Sequence, residues 1–168
     1  MPDLDTAREA PEKLVFDALD DTRAGMLWVP ASGQHPQPMT HHLERSDGEL
    51  WFIVNRQSDL VAAVGEGADA RFTLVTKAQD VHISFTGALM QVDNPERLRN
   101  LWSPVSAAFF EGEAPTESDA ILLRMTLREA ALWASPSNPV VFGINVLRAN
   151  AGGSAEDLGF HTVIQIAA

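Results

Sequence analysis

The sequence predicts a mainly β fold of the α+β class, a small antiparallel barrel with helices packed outside it. Three observations carry this. Short apolar runs recur with turn signals about every ten residues. The clearest strand, Val81 to Val92, alternates between two faces and has Gly87 near its middle, as strands do at a barrel corner. A few stretches of helical spacing lie between such runs, with no internal repeat and no linker long enough to divide the chain.

Taken in order, residues 1–10 read as a flexible tail and 11–168 as a single domain. Pro11 to Asp20 is an amphipathic helix with Leu14, Val15, Ala18 and Leu19 on one face. Gly25 to Val29 is a strand ended by Pro30-Ala31-Ser32-Gly33. Pro36 to Leu43 and Glu49 to Asn55 read as a hairpin turned by Ser46-Asp47-Gly48. Leu50 to Val54 is apolar on both faces, which predicts cover on both sides. Ser58 caps a short helix to Val64, stopped by Gly65-Glu66-Gly67.

Arg71 to Thr76 is a strand, followed by a turn and the Val81–Val92 strand. Asn94-Pro95 starts a helix, and Leu98, Leu101, Trp102 and Val105 keep its spacing. After an acidic loop, Ala120 to Leu127 and Ala130 to Ser135 read as two strands with a polar break between them. Asn138-Pro139 starts a helix to about Asn150, ended by Gly152-Gly153, and His161 to Ile166 is the last strand.

Composition removes several function classes. Apolar content of 45% marks a globular chain. No apolar run is long enough for a membrane helix, and the acidic start lacks a signal-peptide core, so a cytoplasmic location is expected. Without cysteine there is no disulfide, no thiolate catalysis and no cysteine-bound metal. Twenty-three acidic against 12 basic residues give a formal charge of −11, which disfavours nucleic acid and anionic membranes as partners.

The chemical motifs are sparse. There is no Gly-x-Ser-x-Gly elbow, Walker loop or Gly-x-Gly-x-x-Gly fingerprint. His41 and His42 are adjacent on a strand and point to opposite faces, while His35, His82 and His161 lack ligand spacing, so no metal site is predicted. Four tryptophans without tyrosine read first as core or interface packing, and second as a stacking wall for a flat ligand. No acid/base pair stands out, so no catalytic residue is named. The strand ending at Ser58 and its helix start presents backbone N–H groups, which points to a phosphorylated ligand.

Six pieces of sequence, in order, carry a resemblance. They are Arg23-Ala24-Gly25-Met26-Leu27; Pro38-Met39-Thr40; Leu50-Trp51-Phe52-Ile53-Val54 with Arg56 and Ser58; Ser84-Phe85-Thr86-Gly87; Leu101-Trp102-Ser103-Pro104 with Phe109-Phe110; and Ala130-Ala131-Leu132-Trp133. From about Thr22 to Pro136 the chain resembles the pyridoxamine-phosphate-oxidase-like FMN-binding split barrels, specifically the general-stress-protein group.

The resemblance implies a split β-barrel homodimer with FMN in a cleft at the subunit interface. Met39 and Thr40 would contact the flavin, the backbone of Phe52, Ile53 and Val54 would line its ring, and Ser58 would meet the phosphate. Trp102 or Trp133 would close the site, from the same or the partner subunit. Two departures stand out: Gln37 replaces a basic residue before the Pro-Met pair, and Leu60 replaces a lysine two residues after the serine. Losing two charge-assisted hydrogen bonds costs roughly 3–6 kcal/mol, about two to four decades of affinity. Arg23 and Arg56 are the other cations within reach along the sequence. The implied function is FMN-dependent oxidation or reduction of a substrate the residues do not identify. The alternative is a non-enzymatic module that binds flavin, senses, or works without flavin through other ligand or protein contacts.

Overall fold

The structure is a computed structural model that describes residues 4–136, 139–152 and 158–166. It is a split antiparallel β-barrel. One sheet runs β2 (Gln37–Thr40), β1 (Ala24–Trp28), β5 (Ala68–Val75), β6 (Val81–Val92), β7 (Ala120–Ala134), β4 (Glu49–Asn55), β3 (His42–Glu44), with β8 (Phe160–Gln165) also paired to β7. β2 and β3 end opposite edges of this path, yet only His41 separates them in the chain. Consecutive Cα atoms are about 3.8 Å apart, so the two edges must meet and the sheet must curl.

His41 is therefore the corner of the barrel, and it corrects the expected hairpin. β2 pairs with β1 (Gly25↔Met39, Leu27↔Gln37), whereas only β3 pairs with β4 (His42↔Trp51). The imidazole turns inward, 8% exposed, with Nε2 2.8 Å from the Leu19 carbonyl and its ring edge-on to Phe72. That inward turn ends one ladder and starts the other.

β7 is one continuous strand of 15 residues where the sequence suggested two. The polar break is a bulge: Thr86 pairs with Glu129 and Gly87 with Leu127, leaving Arg128 unpaired. β4 occupies the edge of β7 before the bulge and β8 the same edge after it, which splits the barrel. At Gly87 an added Cβ would lie 2.4 Å from the Thr126 carbonyl, so the corner requires glycine.

The core fills the barrel with Leu27, Leu50, Phe52, Phe72, Phe85 and Leu123. α2 (Pro11–Asp21) packs against it through Leu14, Val15, Phe16, Ala18 and Leu19. β4 is covered on both faces, as its composition requires. Leu50, Phe52 and Val54 enter the barrel, while Trp51 joins a second cluster with Leu98 and Leu122 under α4 (Pro95–Leu101). The Arg97 guanidinium lies 4.0 Å from the Trp51 ring centroid.

Three further expectations change. The expected tail contains a helix, α1 (Leu4–Glu9), because Leu4 and Ala7 share a face and Ala7 is fully buried against the core. The strand expected from Arg71 begins at Ala68. The helix expected to continue through Trp102 and Val105 breaks instead. Trp102 is extended, and Ser103 caps a new helix, α5 (Pro104–Phe109), because the residue before proline avoids the helical region. Pro139–Asn150 forms the last helix, α6; the expected cap Asn138 and stop residue Gly153 lie outside the described residues. No helix among the described residues is long and apolar enough to cross a membrane.

Candidate functional site

The barrel corner creates a cavity of about 510 Å³. Its walls are β2 with neighbouring Arg23 and His42, the end of β4, the start of α3 (Asp59–Val64), and α5 as a roof. Each wall is fixed locally. Asn55 Oδ1 accepts from the Gln57 N–H at 2.8 Å, which turns the chain out of β4. Ser58 then caps α3, its Oγ accepting from the Val61 N–H at 3.3 Å. Ser103 Oγ accepts from the Ser106 N–H at 3.1 Å, and this cap sets α5 over the opening. The roof is apolar at its edge, with Val105 47% and Phe109 82% exposed.

The wall chemistry differs sharply from that of the chain. Among the described residues, no Asp or Glu lines the cavity, although the chain carries 23. Its ionisable groups are Arg23 and His42; the rest of the wall is apolar or carries neutral donors and acceptors such as Gln37, Thr40, Asn55 and Ser58. Arg23 is exposed and has no ion pair among the described residues. Burial holds the His42 imidazole below its ordinary pKa, and the neighbouring His41 adds to this.

The structure brings Arg23, Met39, Thr40, Ile53, Val54 and Ser58 onto this one wall. Phe52 is fully buried in the barrel core and is not among the residues that line the cavity. Arg56 turns away to a second cavity of about 490 Å³ shared with Gln91 and Asp93, its N–H donating to the Asp119 carbonyl at 2.8 Å. Trp102 packs on Phe110 with ring centroids 5.3 Å apart, and it is Phe110 that reaches the wall. Trp133 is remote from this cavity. It lies in register between His82 on β6 and His161 on β8, and its ring stacks on His161 at 4.8 Å.

Sequence reading missed His42, Asn55, Ser103, Ser106 and the roof position of Val105. Two signals were available. His42 lies two residues from Thr40, the strand spacing for one face, and Ser103-Pro104 is a helix-start pair. The helix start at Ser58 falls where the sequence places it, with the Val61 N–H taken by the Ser58 side chain. α3 has only six residues, with Asp59 in its first turn, so its field toward an anion is small. Among the described residues, no group of three or more His, Asp or Glu is placed to hold a metal.

Comparison with known proteins accords with this architecture. The family described as pyridoxamine 5'-phosphate oxidase like matches residues 10–157. The general stress FMN/FAD binding protein from Xanthomonas citri is 30% identical over 78% of this chain and 92% of its own, with a TM-score of 0.67. A candidate general stress protein 26 from Jannaschia sp. CCS1 is 24% identical over 92% and 99% of the two chains, with a TM-score of 0.74. The General Stress Protein 26 from Bacillus anthracis str. Sterne is 15% identical over 73% and 92%, with a TM-score of 0.64. The last two likenesses speak to the fold alone. No curated protein matches the sequence. With a family match spanning nearly the whole chain and a barrel of the same kind, the protein belongs to the pyridoxamine 5'-phosphate oxidase-like family.

Proposed function

We propose that the 510 Å³ cavity binds FMN and that the protein is a flavin-dependent oxidoreductase. The observation that carries this reading is the absence of carboxylates from the wall in a chain of charge −11, with Arg23 as its permanent charge. An acidic protein that clears its own charge from one apolar cavity is suited to an anionic, flat ligand. The volume lies within the range of about 300–1,000 Å³ usual for small-molecule sites.

In this reading Met39, Thr40 and the backbone of 52–54 flank the ring. Ser58, Asn55 and Gln37 offer neutral hydrogen bonds to the phosphate, and Arg23 supplies charge. FMN would supply the electron-accepting and electron-donating chemistry; the chain would orient it and exclude water beneath α5. Arg56 leaves the proposed set, because it faces another cavity. Homodimerisation belongs to the same reading. The exposed Val105 and Phe109 rim the opening, and the half-exposed Trp133 is available to a second copy. Trp102 acts only through Phe110.

One observation favours a second reading, a flavin-binding or flavin-free module without turnover. The Ser58 end of the cavity carries no cation, since Gln37 is neutral and Leu60 is apolar and buried. The absorbance spectrum of the purified protein separates the two, followed by reduction of the bound flavin with a nicotinamide donor and reoxidation by an acceptor. A yellow protein that cycles supports the enzyme. A colourless one that takes up no added FMN sinks the flavin reading. Sedimentation should give twice 18.3 kDa, and a monomer at micromolar concentration overturns the dimer.

A further inference from the structure

We propose that His42 sets the charge selectivity of the cavity: when protonated it places a second positive charge on the wall beside Arg23, so acidification favours an anionic ligand over its neutral counterpart. The inference rests on the reading of the cavity as a flavin site.

Position comes first. Ala24 pairs with Thr40; Arg23 precedes Ala24 by one residue, and His42 follows Thr40 by two. Both ionisable groups therefore belong to the barrel corner. The other end of β2 belongs to α3: Gln37 bonds Gln34 at 3.5 Å, and Gln34 Nε2 donates to the Asp59 carbonyl at 2.8 Å. The two ends lie about 10 Å apart at about 3.3 Å per residue. The corner is thus where the cavity's charge is decided, whichever end receives the phosphate.

The surroundings of His42 leave its charge uncompensated. On its own strand, His41 points to the opposite side, into the core, and Glu44 is engaged by Arg97 at 3.1 Å and by the Ser46 hydroxyl at 3.2 Å. Across β1 and β2 the facing charge is Arg23, of the same sign. β4 faces it with Trp51, Ile53, Val54 and Asn55, and α5 with Ser103, Val105, Ser106, Phe109 and Phe110, none of which ionises. Beyond Trp51, Glu49 is paired to Arg124 at 3.5 Å and Arg97 of α4 lies 4.0 Å from the Trp51 ring, so these add no free negative charge. Asp20 lies nearer His41 and is paired to Arg45 at 3.4 Å. The imidazole of the free protein is accordingly held neutral at pH 7, and an anion in the cavity is the partner that would let it charge. By linkage, a ligand that binds the protonated form more tightly raises the His42 pKa by the same factor.

The expected size follows from Coulomb's law. A unit charge about 10 Å from an anion at an effective dielectric of about 20 changes affinity by roughly tenfold, and by more if the anion sits at the corner. The test is fluorescence titration of the full-length protein with FMN and with riboflavin, from pH 8 to pH 5.5, for wild type and His42→Gln. Riboflavin reports any loss of structure on acidification. Comparison with the variant removes the phosphate's own titration, which falls near pH 6.

The preference for FMN over riboflavin should grow in wild type relative to His42→Gln by about tenfold across this range. Identical profiles, with FMN still bound, overturn the inference and leave the flavin reading standing. Binding of neither ligand by wild type at any pH overturns both. Should His42→Gln not fold, NMR titration of the His42 ring in wild type decides the matter. Saturation with FMN should raise its pKa, and an unchanged pKa refutes the proposal.

Discussion

Gln37→Arg should restore to this cavity a charge that its wall lacks. Gln37 is half-buried, lines the cavity, and has only a long 3.5 Å bond to Gln34 to lose. A guanidinium at the same backbone position would face the Ser58 end, where the neutral donors converge. One charge-assisted hydrogen bond contributes about 1.5–3 kcal/mol, which corresponds to roughly 10- to 150-fold in affinity. FMN should tighten by that factor while riboflavin stays within about twofold. The gain should shrink between 50 and 500 mM salt, as an electrostatic contribution does.

The companion change, Leu60→Lys, should fail for a physical reason. Leu60 is 2% exposed and belongs to the barrel core as well as to the wall. It would forfeit about 2 kcal/mol of apolar burial and place an ammonium where it has no partner, at several kcal/mol more. Ligand titration by fluorescence, with urea unfolding alongside, checks both variants. Equal tightening of riboflavin by Gln37→Arg, or a Leu60→Lys protein as stable as wild type, would refute the assignment of these positions.

Arg23→Gln should weaken FMN by about tenfold and leave riboflavin unchanged, since Arg23 is the permanent charge on the wall; equal loss for both ligands contradicts that role. Thr40→Trp should fill the cavity and abolish flavin uptake with unchanged secondary structure by circular dichroism, because Thr40 is exposed at the wall and not in the core. Gly87→Ala should cost about 1–3 kcal/mol, read as a lowered Tm, because the new Cβ meets the Thr126 carbonyl and the Met125 side chain; an unchanged Tm is the contrary result. Stability should also fall with acid. Burial holds His41 below its ordinary value of 6.5, opposed in part by the Leu19 carbonyl and Asp20. The unfolded chain therefore binds a proton near pH 6.5 that the folded one resists. Stability is complete above that pH and is lost as pH drops toward the folded value. Urea midpoints at pH 7.5 and 5.5 check the sign, and a higher midpoint at pH 5.5 contradicts it.

What the sequence made legible, and what it hid, divides along a physical line. Local signals were reliable wherever one residue decides the backbone. Asn94 and Ser58 cap their helices through bonds to Arg97 N and Val61 N, and Gly87 marks the bulge. Two-sided burial of β4 was legible because Leu50 to Val54 has no polar face. Pairing was not, since alternation in 37–44 says that a strand exists and not which neighbour it takes. The missing information lay in His41, a polar residue that reads as surface and is buried through one bond to a carbonyl 22 residues earlier.

The site was half legible for the same reason. Arg23, Met39, Thr40, Ile53, Val54 and Ser58 share a wall because the His41 corner folds β2 back beside β4. The roof came from a separate event, the Ser103 cap that breaks one helix into two, and a continuous apolar spacing through Trp102 concealed it. What no local pattern could reveal is the wall's lack of acid. Carboxylates are scattered along the chain, and their exclusion from one cavity is visible only once the barrel is closed. That exclusion is also the feature that bears most directly on function. In the proposed reading it would suit the cavity of a net-negative protein to an anion, with Arg23 as the fixed charge among the lining residues and His42 beside it. Fold likeness alone could not have chosen between a working site and a vestigial one; the charge of the wall gives a reason to expect the first, and variants at positions 23, 37 and 42 make that expectation measurable.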